Sequence, residues 1–153
     1  MALHFTQQEF DARLTAARAK LVELNLDGIL LFAPESHYYL TGYDTFGFAM
    51  FQCMVLPADG AVQLLTRAPD LRQAQQTSIL RDEQIHIWAD DEDAAPARQL
   101  VRLLADIGLR GARLGIETNT AGLNAFNGRA VFDALDGAGG GVGGAELVEA
   151  SEV

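Results

Sequence analysis

The chain has little of what marks a secreted, membrane-embedded or nucleic-acid-binding protein. Its 153 residues include one cysteine, Cys53, so no intrachain disulfide can form. The thiol lies inside the apolar segment FAMFQCMVL, which points to buried packing rather than a nucleophile or a metal ligand. No segment approaches about 18 uninterrupted apolar residues, and MALHFTQQEF lacks the basic start and apolar centre of a signal peptide. A soluble protein of a reducing, cytoplasmic compartment is expected. Basic residues are also scarce: 11 against 21 acidic ones, a net charge of −10 with no Lys/Arg cluster. The mean field repels polyanions, so nucleic acid is not an expected partner, and neither is a membrane. No internal repeat is present.

Catalytic signatures are missing as well. His4, His37 and His86 are scattered and form no H-E-x-x-H or Cys/His arrangement, so no metal site is expected from this chain alone. Ser36 and His37 are neighbours without a G-x-S-x-G elbow, and Ser78 and Ser151 fall at a helix end and in a tail. GGGVGG at 139–144 satisfies G-x-G-x-x-G, but a helix precedes it and a strand follows. A phosphate-cradling turn needs the reverse order, so a solvated loop is the better reading. DDED at 90–93 lacks the alternating ligands and glycine of a calcium loop, and acidity at a helix start explains it. No catalytic residue is assigned.

What is present is a globular composition, 49% hydrophobic and 21% charged. Thr6 and Glu9 have capping-box spacing, with Phe5 placed as the outer half of a hydrophobic staple. Phe10, Leu14, Ala17, Leu21 and Leu24 continue as an amphipathic helix to about Asn25. GILLFA (28–33) reads as a doubly covered strand, and PESHYYLT as a short helix stopped by Gly42. FAMFQCMVLP and AVQLLTR read as two strands joined at Ala58-Asp59-Gly60. A helix from about Pro69, the strand IHIW (85–88), and a helix over 94–107 capped by ADDED follow. The strand ARLGIE (112–117), a helix from about Ala121 to Leu135 capped by Thr118 or Thr120, a GAGGGVGG loop and a last strand in AELVEASEV complete the chain. The expected fold is α/β, a three-layer α/β/α arrangement around a mixed, about six-stranded sheet.

Two constellations carry functional interest. HYYLTGYDTFGFAMF (37–51) packs seven aromatic or imidazole rings around a turn that breaks their periodicity. Tyr39, Leu40 and Phe51 are expected in the core, and Tyr43, Asp44 and Phe46 are expected at the surface as a pocket wall or dimer contact. The second comprises Arg67 and Asp70 at a strand-to-helix junction, with Trp88 and Asp90 ending the next strand. Strand C-termini are where open α/β sheets hold ligands, although an Arg-Asp cap pair without a ligand explains the same residues.

The ordered set of an N-terminal helix, LDGILLFAPESHYYLTGY, MVLPADGAVQLLTR, a strand ending in W.D, and RLGIE resembles the amino-terminal domain of the creatinase/prolidase/aminopeptidase P family over about residues 5 to 150. The resemblance implies a ribonuclease H-like fold for residues 1–153. The carboxylate-bearing first strand of a ribonuclease H site is lacking, since GILLFA holds no acid. It also implies a separate carboxyl-terminal pita-bread domain, absent from this chain, which in metallopeptidase members holds a divalent metal pair (Mn, Co or Zn). The implied role is non-catalytic: forming a homodimer and capping the partner subunit's active site in an Xaa-Pro peptidase or creatinase-type C–N hydrolase acting on a peptide or small amide-like substrate. Tyr43 to Phe48 matches the lid loop, and Tyr43, Asp44, Phe46, Arg67 and Asp70 are the implied substrate-binding residues. The alternative is a stand-alone acidic protein-binding module on the same fold.

Overall fold

A computed structural model describes residues 3–136 and 144–153. Helix α1 (Gln7–Glu23) starts as its sequence requires. Thr6 accepts from the Glu9 N–H while the Glu9 carboxylate takes the Thr6 N–H. The Phe5 and Phe10 rings close the staple edge to face at 5.8 Å. Strand β1 (Gly28–Leu31) is fully buried, and α2 (Pro34–Thr41) follows with proline in its first turn. It ends at Gly42, whose φ of 80° is the left-handed cap that glycine adopts without strain. Then come β2 (Cys53–Pro57), β3 (Gln63–Arg67), α3 (Leu71–Thr77), β4 (Ile85–Trp88), α4 (Pro96–Asp106), β5 (Arg113–Ile116), α5 (Ala125–Leu135) and β6 (Glu146–Glu149).

The strands form one six-stranded sheet in the order β4-β3-β2-β1-β5-β6. Strand β2 runs antiparallel to both neighbours and every other pair is parallel, so the sheet is mixed, as expected. One apolar core, with Leu14, Leu21, Leu40, Tyr43, Met54, Leu64 and Ala74, joins one face to α1, α2 and α3. The other, with Phe51, Trp88, Leu100, Leu104, Ile116 and Val131, joins the opposite face to α4 and α5. This is the three-layer arrangement that the alternating apolar runs imply. Among the described residues no helix is long and apolar enough to cross a membrane.

Several boundaries differ from the sequence reading, each for a local reason. Strand β1 stops at Leu31 because the Phe32 and Ala33 amides go to the Glu117 carboxylate, at 2.8 and 2.6 Å, rather than to a neighbouring strand. Strand β2 begins at Cys53 rather than near Phe48, since the Gln52 side chain is drawn into the preceding loop. The 58–62 connection is longer than a tight hairpin and is held by Arg18, which donates to the Pro57 and Gly60 carbonyls. Helix α4 starts at Pro96 without a side-chain cap, and Asp91 instead accepts from the Asp93 amide within its own loop. Helix α5 is capped by Asn124, not by Thr118 or Thr120. The chain before it presses at Gly122 on the residue that follows β1, where a Cβ would collide with the Phe32 carbonyl. The GGGVGG pattern falls, except for Gly144, outside the described residues.

Candidate functional site: the loop at the strand ends

Because β1, β3, β4, β5 and β6 run the same way, their C-terminal ends share one edge of the sheet. Register sets Arg67 beside Trp88 there. The Arg67 guanidinium pairs with Asp70 (Nε to Oδ2, 3.1 Å) and approaches Asp90 (4.0 Å). Asp70 is buried, and Trp88 donates its indole N–H to the Phe51 carbonyl at 3.0 Å. The Arg67–Asp70 pair is thus formed, although neither side chain caps the helical turn that follows.

The 43–50 loop folds onto the same junction. Its turn is built by side chains acting as backbone: Thr45 donates to Gln52 Oε1 (2.9 Å) and accepts from the Gly47 N–H (2.9 Å). Gln52 then donates to the Tyr43 hydroxyl at 3.1 Å. From α3, Thr77 accepts the Asp44 amide (3.1 Å) and Gln73 accepts that of Phe46 (3.3 Å). Gly47 has no room for a side chain, because a Cβ there would lie 2.6 Å from both Asp70 carboxylate oxygens and from Gln52 Nε2. The two sequence constellations are therefore one structure, joined through Gly47, Asp70 and Gln52.

Within it, Tyr43 is not at the surface as expected but completely buried, at 0% exposure. Its ring stacks on His37 with centroids 6.0 Å apart, and Gln52 satisfies its hydroxyl, so both ends of an amphipathic side chain find partners inside. Burial pushes the Tyr43 pKa up. The nearby hydroxyls of Thr45 and Thr66 act in the opposite direction, and Thr66 Oγ1 has no other hydrogen-bond partner among the described residues. Asp44 is exposed, and Phe46 is 87% exposed at the tip, with Phe48 and Met50 also open to solvent. Tyr39 corrects the expectation in the other direction. It is 55% exposed on the outer face of α2, where the Arg13 guanidinium lies 4.6 Å from its ring.

Two polar residues escaped the sequence reading. Glu117, buried at the end of β5, accepts from the Phe32 and Ala33 amides and from Ser36 Oγ (2.6 Å), and so caps the start of α2. An acid that closes the apolar run RLGI was the available signal. Gln52, the sole amide within FAMFQCMVL, was the other. His37 donates Nε2–H to the Leu31 carbonyl (2.9 Å), its Nδ1 is unpartnered, and burial lowers its pKa. Burial also drives the Cys53 thiol well above its usual pKa, the opposite of an activated nucleophile. Among the described residues no group of three His, Cys, Asp or Glu side chains could hold a metal ion. The arrangement offers a loop with a fixed backbone that displays an aromatic ring, beside a half-buried arginine already paired with carboxylates.

Comparison with known proteins gives a consistent result. The family model described as Creatinase/Prolidase N-terminal domain matches residues 13–153. An uncharacterized hydrolase/peptidase of Sinorhizobium fredii is 28% identical over 111 residues, covering 72% of this chain and 28% of that protein. The ectoine hydrolase of Halomonas elongata is 27% identical over 122 residues, covering 76% and 31%. The chain thus spans less than a third of the length of these curated relatives. Among solved structures, the N-terminal domain of the cytoplasmic peptidase PepQ from Mycobacterium tuberculosis superimposes with a TM-score of 0.66 at 23% identity, covering 92% of this chain and 93% of that one.

Proposed function

The chain belongs to the Creatinase/Prolidase N-terminal domain family, and from that premise we propose that it is the non-catalytic part of an Xaa-Pro peptidase or creatinase-type C–N hydrolase, forming a homodimer and capping the partner subunit's active site. The relatives described as a hydrolase/peptidase and as an ectoine hydrolase support the reaction class. The observation that carries the capping role is the loop itself: Phe46 stands almost fully in solvent, yet its backbone is tied to Gln73 and its neighbours to Thr45, Gln52 and Thr77. A ring exposed on a mobile loop would pay an ordering cost on meeting a substrate or a partner, whereas this one is already placed. Chemistry then belongs to a second, pita-bread domain with a divalent metal pair of Mn, Co or Zn, in a cytoplasmic enzyme. The described residues of this domain contribute position and shape.

The test is an assay against Xaa-Pro dipeptides with Mn2+ or Co2+. The 153-residue chain is expected to hydrolyse none of them, and the same chain continuous with its downstream-encoded polypeptide is expected to be active. In the active protein, Phe46→Ala raises KM about tenfold, as loss of a central aromatic contact does, with a smaller change in kcat. Hydrolysis by the short chain, or an unchanged KM in the variant, overturns the reading.

A further inference from the structure

A sizeable concavity lies away from the loop tip. It is a trough of about 860 Å3 between α4 and α5, floored by Phe51 and walled by Ala97, Val101, Ala105, Ala130 and Ala134. Both helices connect strands that run in one direction, on the same face of the sheet, so they lie side by side and point the same way. Small side chains on both walls let a third backbone approach closely, and Phe126 stands 82% exposed at one end. An open apolar feature of this kind on a soluble domain marks an interaction surface.

The charges along the trough are ordered. Arg98, in the first turn of α4, and Arg102, one turn further along, line it ahead of Asp106, and neither makes a salt bridge among the described residues. Asp106 and Asp133 line the other end. The two helix dipoles have the same sense as these side chains, positive at the arginine end and negative at the aspartate end. In a chain of net charge −10, Arg98 and Arg102 repel each other one turn apart, and Arg98 has no acidic residue one turn away on α4 to offset it.

We propose that this trough docks an amphipathic helix of a partner protein, lying antiparallel to α4 and α5, with an apolar face inward, basic residues toward its N-terminal end and acidic residues toward its C-terminal end. That orientation sets the partner's dipole and side chains against the opposite charges along the whole groove. A second copy of the chain fits less well. Two-fold pairing over the trough would set hollow against hollow, and the net charges would repel.

The test uses a fluorescein-labelled synthetic helix of about 18 residues, long enough to be helical when bound. It carries leucines on one face, arginines in its first half and glutamates in its last, and a control exchanges the two halves. Anisotropy titration of the 153-residue chain is expected to show saturable binding of the first peptide and about tenfold weaker binding of the control. Arg98→Glu with Arg102→Glu reverses that preference. Phe126→Ala, at an exposed site, weakens both peptides while the thermal melt stays unchanged. Equal affinity for the two peptides, or none that saturates, overturns the proposal. So does self-association of the chain that Phe126→Ala abolishes, because a second copy would then fill the trough. Failure here leaves the Phe46 assay untouched, since the two sites share no side chain.

Discussion

Single residues decide how the sheet edge is held together. The Glu117 carboxylate is the acceptor for the Phe32 and Ala33 amides and the Ser36 hydroxyl. Glu117→Ala leaves these buried donors without an acceptor and is expected to cost about 3 kcal/mol in a urea titration, since each orphaned buried donor costs ~1–3 kcal/mol. Glu117→Gln, which keeps an acceptor oxygen, is expected to cost less. His37 makes a pH prediction. Burial lowers its folded pKa below the 6.5 of the free side chain, an effect partly offset by its hydrogen bond to Leu31 and by the charges of Glu117 and Glu35. The unfolded chain therefore takes up the proton first as pH falls. Stability is complete above 6.5 and declines below it until the folded-state pKa is reached. His86 shifts in the same direction, so His37→Gln is expected to flatten, without erasing, the slope of stability against pH below 6.5. An unchanged slope would show that His37 takes up its proton at the same pH in the folded and the unfolded chain.

At the scale of elements, the 43–50 loop is the least legible part of the sequence and the most constrained in space. Its aromatic richness marked it as important, but which ring faces inward was decided by α2 and α3. His37 and Gln52 together claim Tyr43, and Phe46 is left outside. Gly47→Ala would drive a methyl into Asp70 and Gln52. It is expected to lower stability by about 1–3 kcal/mol, the usual cost of overpacking, and to raise proteolytic cleavage within the loop. The start of helix α1 was legible to the residue, because its capping box and staple are local geometry, while its end came two residues before the expected Asn25. Thr6→Ala is expected to cost about 1 kcal/mol, measured by thermal unfolding. Helix α4 was read two residues too long at its start and α5 about one turn too long, since the sequence does not state whether a threonine or aspartate ahead of a helix will cap it or bind its own loop.

At the scale of the molecule, both helix layers are fastened to one sheet, and every strand except β5 contributes side chains to both cores. Unfolding is expected to be one cooperative transition, with the fluorescence of Trp88, buried in the α4/α5 core, and the far-UV circular dichroism giving one midpoint. Two midpoints would separate the layers. The sequence by itself determined the order and type of the elements, the mixed sheet and the family resemblance. Apolar periodicity, proline and glycine placement and capping spacing act within a few residues of one another, so they are readable along the chain. Only the tertiary structure decided that Arg67–Asp70 and the 43–50 loop form one edge, that Glu117 caps a helix 81 residues earlier, and that a charged trough runs along the seam where α4 and α5 pack. Those arrangements depend on strand order and on which side chains exclude water from which, and neither is recorded in local spacing.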